Sequence, residues 1–444
     1  MTTIDLSVFD RVTARAETLD NGLGVVLLPQ AGAESIVTVV CYRAGSRDEG
    51  SNEGGLAHFL EHMMFKGSAR YPPGAIDSVT QRLGGTNNAF TSHDVSAYHF
   101  QFERRRLDEA LRIEADRMRG LSLLPEEVES EREVILEEIR MVEDDPWDAL
   151  EQAVARRLFG GHPYGRPVLG TRRSLRGLDA VALGSFHRRH YHPGRAVLVA
   201  AGGLPSDAME RIEAALGNGG PGKAGVAPES PPADPANPPI RPASVPRAHL
   251  GPPVFDPAPG RRVELRGGEM ARLLVAHPAP AADDPLSVHV RLALTVLASG
   301  RASRIQRELV EQNPLALWAA GAASGHCLGG MSTLTAEVAP GVEPARLEAE
   351  LCSRVDGLAA SPPSTGELER AKRVLFADWV FMHERIGERA ISAALEHALF
   401  FPGFTRGSYE ALARATAADV SDACTVWLSP AIRIVGWSLP AGTR

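Results

Sequence analysis

The chain lacks three features that would each assign it to a class at once: paired cysteines, a long apolar run and an excess of basic residues. Its 444 residues include only four cysteines, at positions 41, 327, 352 and 424, with no Cys-x-x-Cys pair. A zinc–thiolate site and a dense disulfide framework are therefore disfavoured. We expect Cys41, Cys327, Cys352 and Cys424 to be free thiols in largely apolar surroundings.

The absence of a run of about 18 apolar residues predicts that no segment spans a membrane. The net charge of −8 argues against a nucleic-acid partner and favours neutral or basic ligands. The first ten residues have no signal-peptide pattern, which predicts a cytoplasmic protein, or a periplasmic one whose signal has been removed. The length predicts at least two domains.

Proline and glycine are concentrated in residues 217–260, a stretch that cannot hold a helix or an inner strand. We predict a linker there, between a domain of residues 1–216 and a domain of residues 261–444. Both domains end in a helix, a proline turn and an apolar strand, at residues 184–205 and 420–440, which predicts an internal duplication. Distinct strand and helix patterns in each half predict an α+β fold of two homologous α/β-sandwich domains.

The segment His58-Phe59-Leu60-Glu61-His62 is the most informative in the chain, and it lies in a stretch that reads as a buried helix. Residues four apart share one helical face, so His58 and His62 can reach a single metal ion. Glu61 is close enough to act as general base on a water bound to that ion. His-x-x-Glu-His is the inverted form of a common zinc-peptidase motif. The alternative is a buried helix with two structural histidines, although its glutamate would be costly to bury without a partner such as a metal.

A third ligand is expected from the acidic helix that begins at Pro125. Glu131 and Glu138 are seven residues apart and therefore lie on nearly the same face of that helix. The remaining glutamates of the segment fit an exposed, charged surface.

Four stretches of the first half occur in the order typical of a known family: "GSRDEGSNEGGLAHFLEHMMFKGS" from Gly45, "LGGTNNAFTSHDVSAYHF" from Leu83, "ESEREVILEEI" from Glu129 and "HPYGRPVLG" from His162. They resemble the pitrilysin/insulinase family of zinc metallopeptidases, and within it the mitochondrial processing peptidase and its bacterial relatives. The resemblance implies a bacterial metalloendopeptidase that acts on peptides or small unfolded polypeptides.

The resemblance also implies a set of site residues around one Zn²⁺ per chain: the ligands His58, His62 and Glu138, the general base Glu61 and the supporting acidic residue Glu131. Glu137 is the close rival to Glu138, but its place on the helix points it away from the face of Glu131. Family members bind the peptide as an added strand at a sheet edge, so Asn88, Ala89 and Phe90 are expected to border the substrate. The alternative for that segment is an ordinary strand after a Gly-Gly turn.

The second half departs from the family pattern in one respect. Self-sufficient members carry an arginine and a tyrosine seven residues apart after a Ser-Arg-Leu segment, where they bind substrate and polarise its carbonyl. Here the segment begins at Ser303, and the two places hold Val310 and Leu317, which cannot donate a hydrogen bond to an oxyanion. Trp318 is one place further along, but indole is a poor substitute for phenol.

A complete metal motif without this pair resembles the metal-bearing subunit of a split enzyme. The resemblance therefore implies a heterodimer, in which a homologous metal-free partner supplies the arginine and tyrosine. Two alternatives remain: a self-sufficient single-chain or homodimeric peptidase, and a non-catalytic structural subunit like the respiratory-complex core proteins.

Overall fold

The structure is a computed structural model that describes residues 4–11, 14–217 and 261–442. Apart from Gly217, the predicted linker lies outside these residues. Strands of the first half are β1 (Arg15–Thr18), β2 (Gly24–Pro29), β3 (Ser35–Tyr42), β4 (Thr86–Thr91), β5 (Ser96–Glu103) and β6 (Ala196–Gly202). Its helices are α1 (Leu56–Met63), α2 (Ala75–Arg82), α3 (Leu107–Arg119), α4 (Pro125–Asp144), α5 (Pro146–Phe159), α6 (Arg172–Leu175), α7 (Ala180–His190) and α8 (Ala208–Leu216).

The second half repeats this pattern of strands followed by helices. Its strands are β7 (Arg261–Arg266), β8 (Arg272–Ala279), β9 (Ala316–His326), β10 (Gly329–Val338) and β11 (Ile434–Leu439). Its helices are α9 (Leu286–Ala298), α10 (Pro344–Ala360), α11 (Thr365–His383), α12 (Ile386–Leu399), α13 (Phe404–Arg414) and α14 (Ala417–Trp427). None of the helices in the described ranges is both long and apolar enough to cross a membrane.

The two sheets have matching topology. The first has the strand order β1-β2-β6-β3-β5-β4 and the second β7-β11-β8-β10-β9. In each sheet the last strand of the half lies parallel to an early one, β6 to β2 and β11 to β7, and the remaining pairings are antiparallel. Without β1, every strand of the first sheet has a counterpart in the second. The predicted duplication and the two-domain α+β fold are therefore confirmed.

Each sheet is covered on both faces, and one cover comes from the other half of the chain. On β3, Ile36 and Val40 face the helices of the first half, whereas Val37 and Val39 face α12. Alanines at every fourth position of α12 (Ala390, Ala394 and Ala398) are buried there, because small side chains let a helix approach a β-branched sheet closely. In return, α5 covers the outer face of β8 and β11.

The amino-terminal segment also crosses between the halves. Phe9 stacks on Trp379 of α11 with ring centroids 4.4 Å apart, and Ile4, Leu6 and Val8 join the same core. Three of the hydrophobic cores thus contain residues from both halves of the sequence. The domain boundaries at residues 216 and 261 stay predictions.

Candidate metal centre

Helix α1 begins at a position where only glycine fits. Gly55 has φ +88°, and a Cβ there would lie 2.5 Å from the carbonyl oxygen of Leu169. The carboxylate of Glu49 accepts hydrogen bonds from the backbone N–H groups of Gly55 and Ala57, at 3.1 and 2.9 Å. Those N–H groups lack partners within the helix, and the positive end of the helix dipole favours a carboxylate. Glu49 therefore fixes the start of the helix that carries the histidines.

Leu56, Phe59, Leu60 and Met63 of α1 are buried in the first core, so the opposite face of the helix carries the polar side chains. That face presents His58 and His62, whose ring centroids are 4.8 Å apart. The sequence forces this arrangement, because the apolar residues occupy one side of a helix and the histidines the other.

Helix α4 lies against α1. Arg132 of α4 stands over the ring of Phe59, 5.6 Å from its centroid, and donates a hydrogen bond to the carbonyl oxygen of Leu175. This contact fixes α4 so that Glu131 and Glu138 both face the histidines. Glu137 instead is half exposed and pairs with Arg140 on the same helix. The helical period therefore separates the two neighbouring glutamates as expected.

Two histidine nitrogens converge on Glu138. The Nε2 atom of His58 lies 3.7 Å from Glu138 Oε2, and the Nε2 atom of His62 lies 3.7 Å from Glu138 Oε1. Both distances are too long for hydrogen bonds. Two donor atoms that each stand about 2.1 Å from one tetrahedral zinc are roughly 3.4 Å apart, so the separations suit a shared ion.

The three side chains fit a metal by position as well as by type. One ligand atom from each of His58, His62 and Glu138 lies within 4.8 Å of the other two. In the described part of the chain, this is the one group of three such side chains. Burial, followed by the charge of His62, lowers the pKa of His58 to about 4, which keeps the imidazole neutral and able to donate a lone pair.

Glu61 lies beside this group, and one of its carboxylate oxygens is free to accept a hydrogen bond. Its Oε2 atom is buried, and no hydrogen-bond partner is found for it among the described residues. Burial raises the pKa of Glu61, against a hydrogen bond from Thr91 and the charge of His62. A carboxyl group with a raised pKa and a free lone pair suits proton transfer near neutral pH.

Glu131 orients one of the histidines. Its Oε2 atom is 3.0 Å from Nδ1 of His62, and its Oε1 atom is 2.7 Å from Nζ of Lys66. Burial by itself would raise the pKa of Glu131, but the hydrogen bonds from Lys66 and His62 outweigh it and lower the pKa. Metal-binding histidines usually donate the N–H of their second ring nitrogen to a carboxylate or a carbonyl. Here Glu131 takes that place at Nδ1 of His62, so Nε2 is left to face Glu138.

Strand β4 borders the site and forms the outer edge of the first sheet. Asn88, Ala89 and Phe90 pair on one side with His99, Tyr98 and Ala97 of β5, in that order. The side-chain oxygen of Asn88 accepts from the backbone N–H of Ala89 at 2.9 Å. An edge with unpaired backbone groups can accept an added strand.

The two departures from the family pattern lie in the second half. Val310 is part of the helical segment Gln306–Gln312 and packs against the second core. Leu317 is on the edge strand β9 and is 47% exposed. Neither side chain carries a hydrogen-bond donor.

Three polar contacts around the site have no clear signal in the sequence. Glu49 and Lys66 lie within the stretch from Gly45, but nothing in their spacing points to a helix start or to Glu131. Asp94, at the turn after β4, binds Arg47 of the loop before α1 and the backbone of Cys327 in the second half. Only the folded chain brings these groups together.

Comparison with known proteins assigns both halves to one family. A sequence model described as "Insulinase (Peptidase family M16)" matches residues 25–172, and one described as "Peptidase M16 inactive domain" matches residues 178–375. The first contains the histidine motif and α4, and the second reaches well into the second half.

One curated relative and two solved structures give the similarity in numbers. The chain is 32% identical over 307 residues, 68% of its length, to "Uncharacterized zinc protease SCO5738" of Streptomyces coelicolor, and it spans 63% of that protein. A protease structure from Helicobacter pylori matches with a TM-score of 0.85 at 22% identity, over 97% of this chain and 100% of that one. The structure of pitrilysin matches with a TM-score of 0.75 at 21% identity, over 99% of this chain but 46% of that one. Both structural matches concern the fold alone.

Proposed function

The chain belongs to the insulinase family, peptidase family M16, and from that premise we propose that it is a zinc-dependent metalloendopeptidase subunit. Its substrates are peptides or small unfolded polypeptides. His58, His62 and Glu138 hold one Zn²⁺ per chain. The convergence of both Nε2 atoms on the Glu138 carboxylate is the observation that carries this proposal.

Zinc, when bound in such a site, acts as a Lewis acid that activates water and polarises the scissile carbonyl. Glu61 takes the proton from the attacking water, because its buried Oε2 atom has a free lone pair. The same carboxyl group then returns the proton to the leaving amine, a transfer that its raised pKa favours. Glu131 holds His62 in the orientation that directs Nε2 towards Glu138.

The substrate peptide adds to the sheet as a strand beside β4. Backbone groups of Asn88, Ala89 and Phe90 bind its main chain, which tolerates varied side chains. The influence of Thr91, the last residue of this strand, on the pKa of Glu61 supports a general base close to the bound peptide.

The missing arginine and tyrosine point to a partner. Since Val310 and Leu317 cannot stabilise an oxyanion, a homologous metal-free subunit supplies these donors in a heterodimer. The fold of this chain corresponds to 46% of the pitrilysin chain, so two such units would make a molecule of that size.

Two measurements test the proposal. Purified protein should hold one zinc per chain by elemental analysis. Glu61→Gln should keep the metal but, assayed together with the metal-free homologue, should lose peptide hydrolysis, because an amide cannot accept the proton. Absence of zinc from the native chain would contradict the metal site, and hydrolysis by Glu61→Gln would contradict the role of the base.

The partner is tested separately, by comparing hydrolysis of a quenched-fluorescence peptide with and without a metal-free homologue. Loss of oxyanion stabilisation costs about 100- to 1000-fold in rate, so the isolated chain should be nearly inactive. Full activity of the chain alone as a monomer would contradict the heterodimer. Full activity that appears only with self-association would favour a homodimer. Zinc without activity under any condition would favour a structural subunit.

A further inference from the structure

The carboxylate of Glu131 is shared between two side chains of the segment that follows the metal motif. Its Oε2 atom meets Nδ1 of His62 at 3.0 Å, while its Oε1 atom meets Nζ of Lys66 at 2.7 Å. After α1 the chain continues in tight turns, with hydrogen bonds of 3.1 Å from Phe65 N–H to the carbonyl oxygen of His62 and from Lys66 N–H to that of Met63. These turns return Lys66 to the side of the helix that carries His62, four residues earlier.

Burial makes the lysine necessary to this arrangement. The side chain of Glu131 is only 6% exposed, whereas that of Lys66 is 36% exposed. A buried carboxylate is costly unless an opposite charge and hydrogen bonds compensate it. Among the contacts of Glu131, Lys66 supplies the charge and also fixes the position of the carboxylate, since each oxygen has its own partner.

We propose that Lys66 is a positioning residue of the metal site. It holds the Glu131 carboxylate so that Oε2 accepts the Nδ1 proton of His62, and His62 therefore directs an unprotonated Nε2 towards Glu138. The inference rests on the proposed function, because it concerns the same metal centre. It adds a third layer to that centre: Lys66 acts on Glu131, and Glu131 acts on His62.

The test uses Lys66→Met, which keeps an unbranched chain and removes the charge, with Lys66→Arg as the conservative variant. Zinc affinity is measured by competition with a chromophoric chelator. Loss of an outer contact to a metal-binding histidine typically lowers affinity about 10- to 100-fold, and we expect this range for Lys66→Met. Lys66→Arg should recover most of the loss, because guanidinium can donate to the same oxygen.

Arg140→Met is the matched control. It removes one positive charge from an ion pair on the opposite side of α4, where Arg140 meets Glu137 and both are half exposed. Its zinc affinity should equal that of the native chain. A double variant, Lys66→Met with Glu131→Gln, should bind zinc no more weakly than Glu131→Gln alone, since the lysine acts through the glutamate.

A second measurement does not depend on metal or hydrolysis. Nitrogen-15 spectra of the zinc-free protein, assigned with His62→Gln, report which imidazole nitrogen of His62 carries the proton. The native chain should show the Nδ1–H form, and Lys66→Met should show a mixture of both forms. Circular dichroism checks folding, and Lys66→Gln replaces Lys66→Met if the latter does not fold.

Native zinc affinity and an unchanged His62 tautomer in a folded Lys66 variant would overturn the inference. So would an additive loss in the double variant. A native chain that binds zinc but cleaves no peptide contradicts the proposed function and leaves these readouts intact. A native chain that binds no zinc also contradicts that function, and the tautomer measurement then decides the role of Lys66.

Discussion

The contact around Asp94 gives a prediction that needs no assumption about function. Asp94 is 4% exposed, and its Oδ1 atom accepts from Arg47 at 2.6 Å and from the hydroxyl of Tyr164 at 2.7 Å. Its Oδ2 atom accepts from the backbone N–H of Cys327, 233 residues away in the second half, at 2.9 Å. One side chain therefore connects the loop before α1, the turn after β4 and the second sheet.

The loss of unfolding free energy expected for Asp94→Ala depends on which partners Arg47 retains. Arg47 is 9% exposed. Among the described residues, Asp48 at 3.8 Å is the carboxylate that would remain near it. Removal of one partner from a buried ion pair costs about 3–5 kcal/mol. Since Asp48 compensates part of the charge, we expect the lower end, about 3 kcal/mol in the free energy of unfolding.

Urea-induced unfolding followed by circular dichroism measures this loss. Asp108→Ala is the matched control, because Asp108 pairs with Arg211 at 3.1 Å with both side chains well exposed. Exposed pairs contribute about 0–1 kcal/mol, so this control should change little. If Asp94→Ala is no more destabilising than Asp108→Ala, the bridging role assigned to Asp94 is wrong.

Asp94 also predicts a dependence on pH. Burial would raise the pKa of Asp94, but the charge of Arg47 and the hydrogen bonds from Tyr164 and Cys327 outweigh it, so the pKa is lowered. A carboxyl group with a lowered pKa stabilises the fold above its unfolded pKa of about 3.9, and this contribution is lost as the pH falls below that value. In Asp94→Asn the acid-dependent part of the unfolding free energy should be smaller.

Three further predictions concern the site and its surroundings. Glu138→Gln should remove zinc, whereas Glu137→Gln should retain it, and elemental analysis of both variants checks this; the reverse result would shift the assignment by one residue. Glu131→Gln should lower zinc affinity by about 10- to 100-fold and reduce activity without removing the metal outright, because in our proposal Glu131 contacts His62 and does not bind the ion itself. Burial lowers the pKa of His187 to about 4, against a hydrogen bond to the backbone of Arg117. The unfolded chain therefore gains a proton first, and His187 should reduce stability as the pH falls from about 6.5 towards 4, an effect absent from His187→Gln in acid titrations of unfolding.

Site residues could be predicted best from the sequence where they lie on the same helix. The spacing of His58 and His62 fixes their common face, and the seven-residue step from Glu131 to Glu138 fixes a second face with no tertiary information. The structure brings these faces together, with both Nε2 atoms 3.7 Å from the Glu138 carboxylate. Their roles as metal ligands stay predictions until zinc is measured.

Contacts that depend on turns between elements could not be predicted in this way. Lys66 reaches Glu131 because two tight turns follow α1, and Glu49 reaches the start of α1 across a loop of irregular backbone. The periodicity of apolar residues identifies helices and strands. It does not predict contacts made by polar side chains in loops, such as those of Glu49 and Lys66. The carboxylate of Asp94 is a stronger case, because its partner Cys327 comes from the other half of the chain.

One helix from each half packs on the sheet of the other half, and the order of elements in the sequence does not predict this contact. Residues 217–260 predict two separable domains, yet α12 of the second half covers the sheet that includes β4, and α5 of the first half covers β8 and β11. Each half therefore buries one face of its sheet with its own helices, and the other face is covered by a helix of the other half. Both halves therefore contribute to the scaffold that holds α1 and the edge strand β4 beside it. The second half lacks the His-x-x-Glu-His motif, but its helix α12 covers one face of the sheet behind the site.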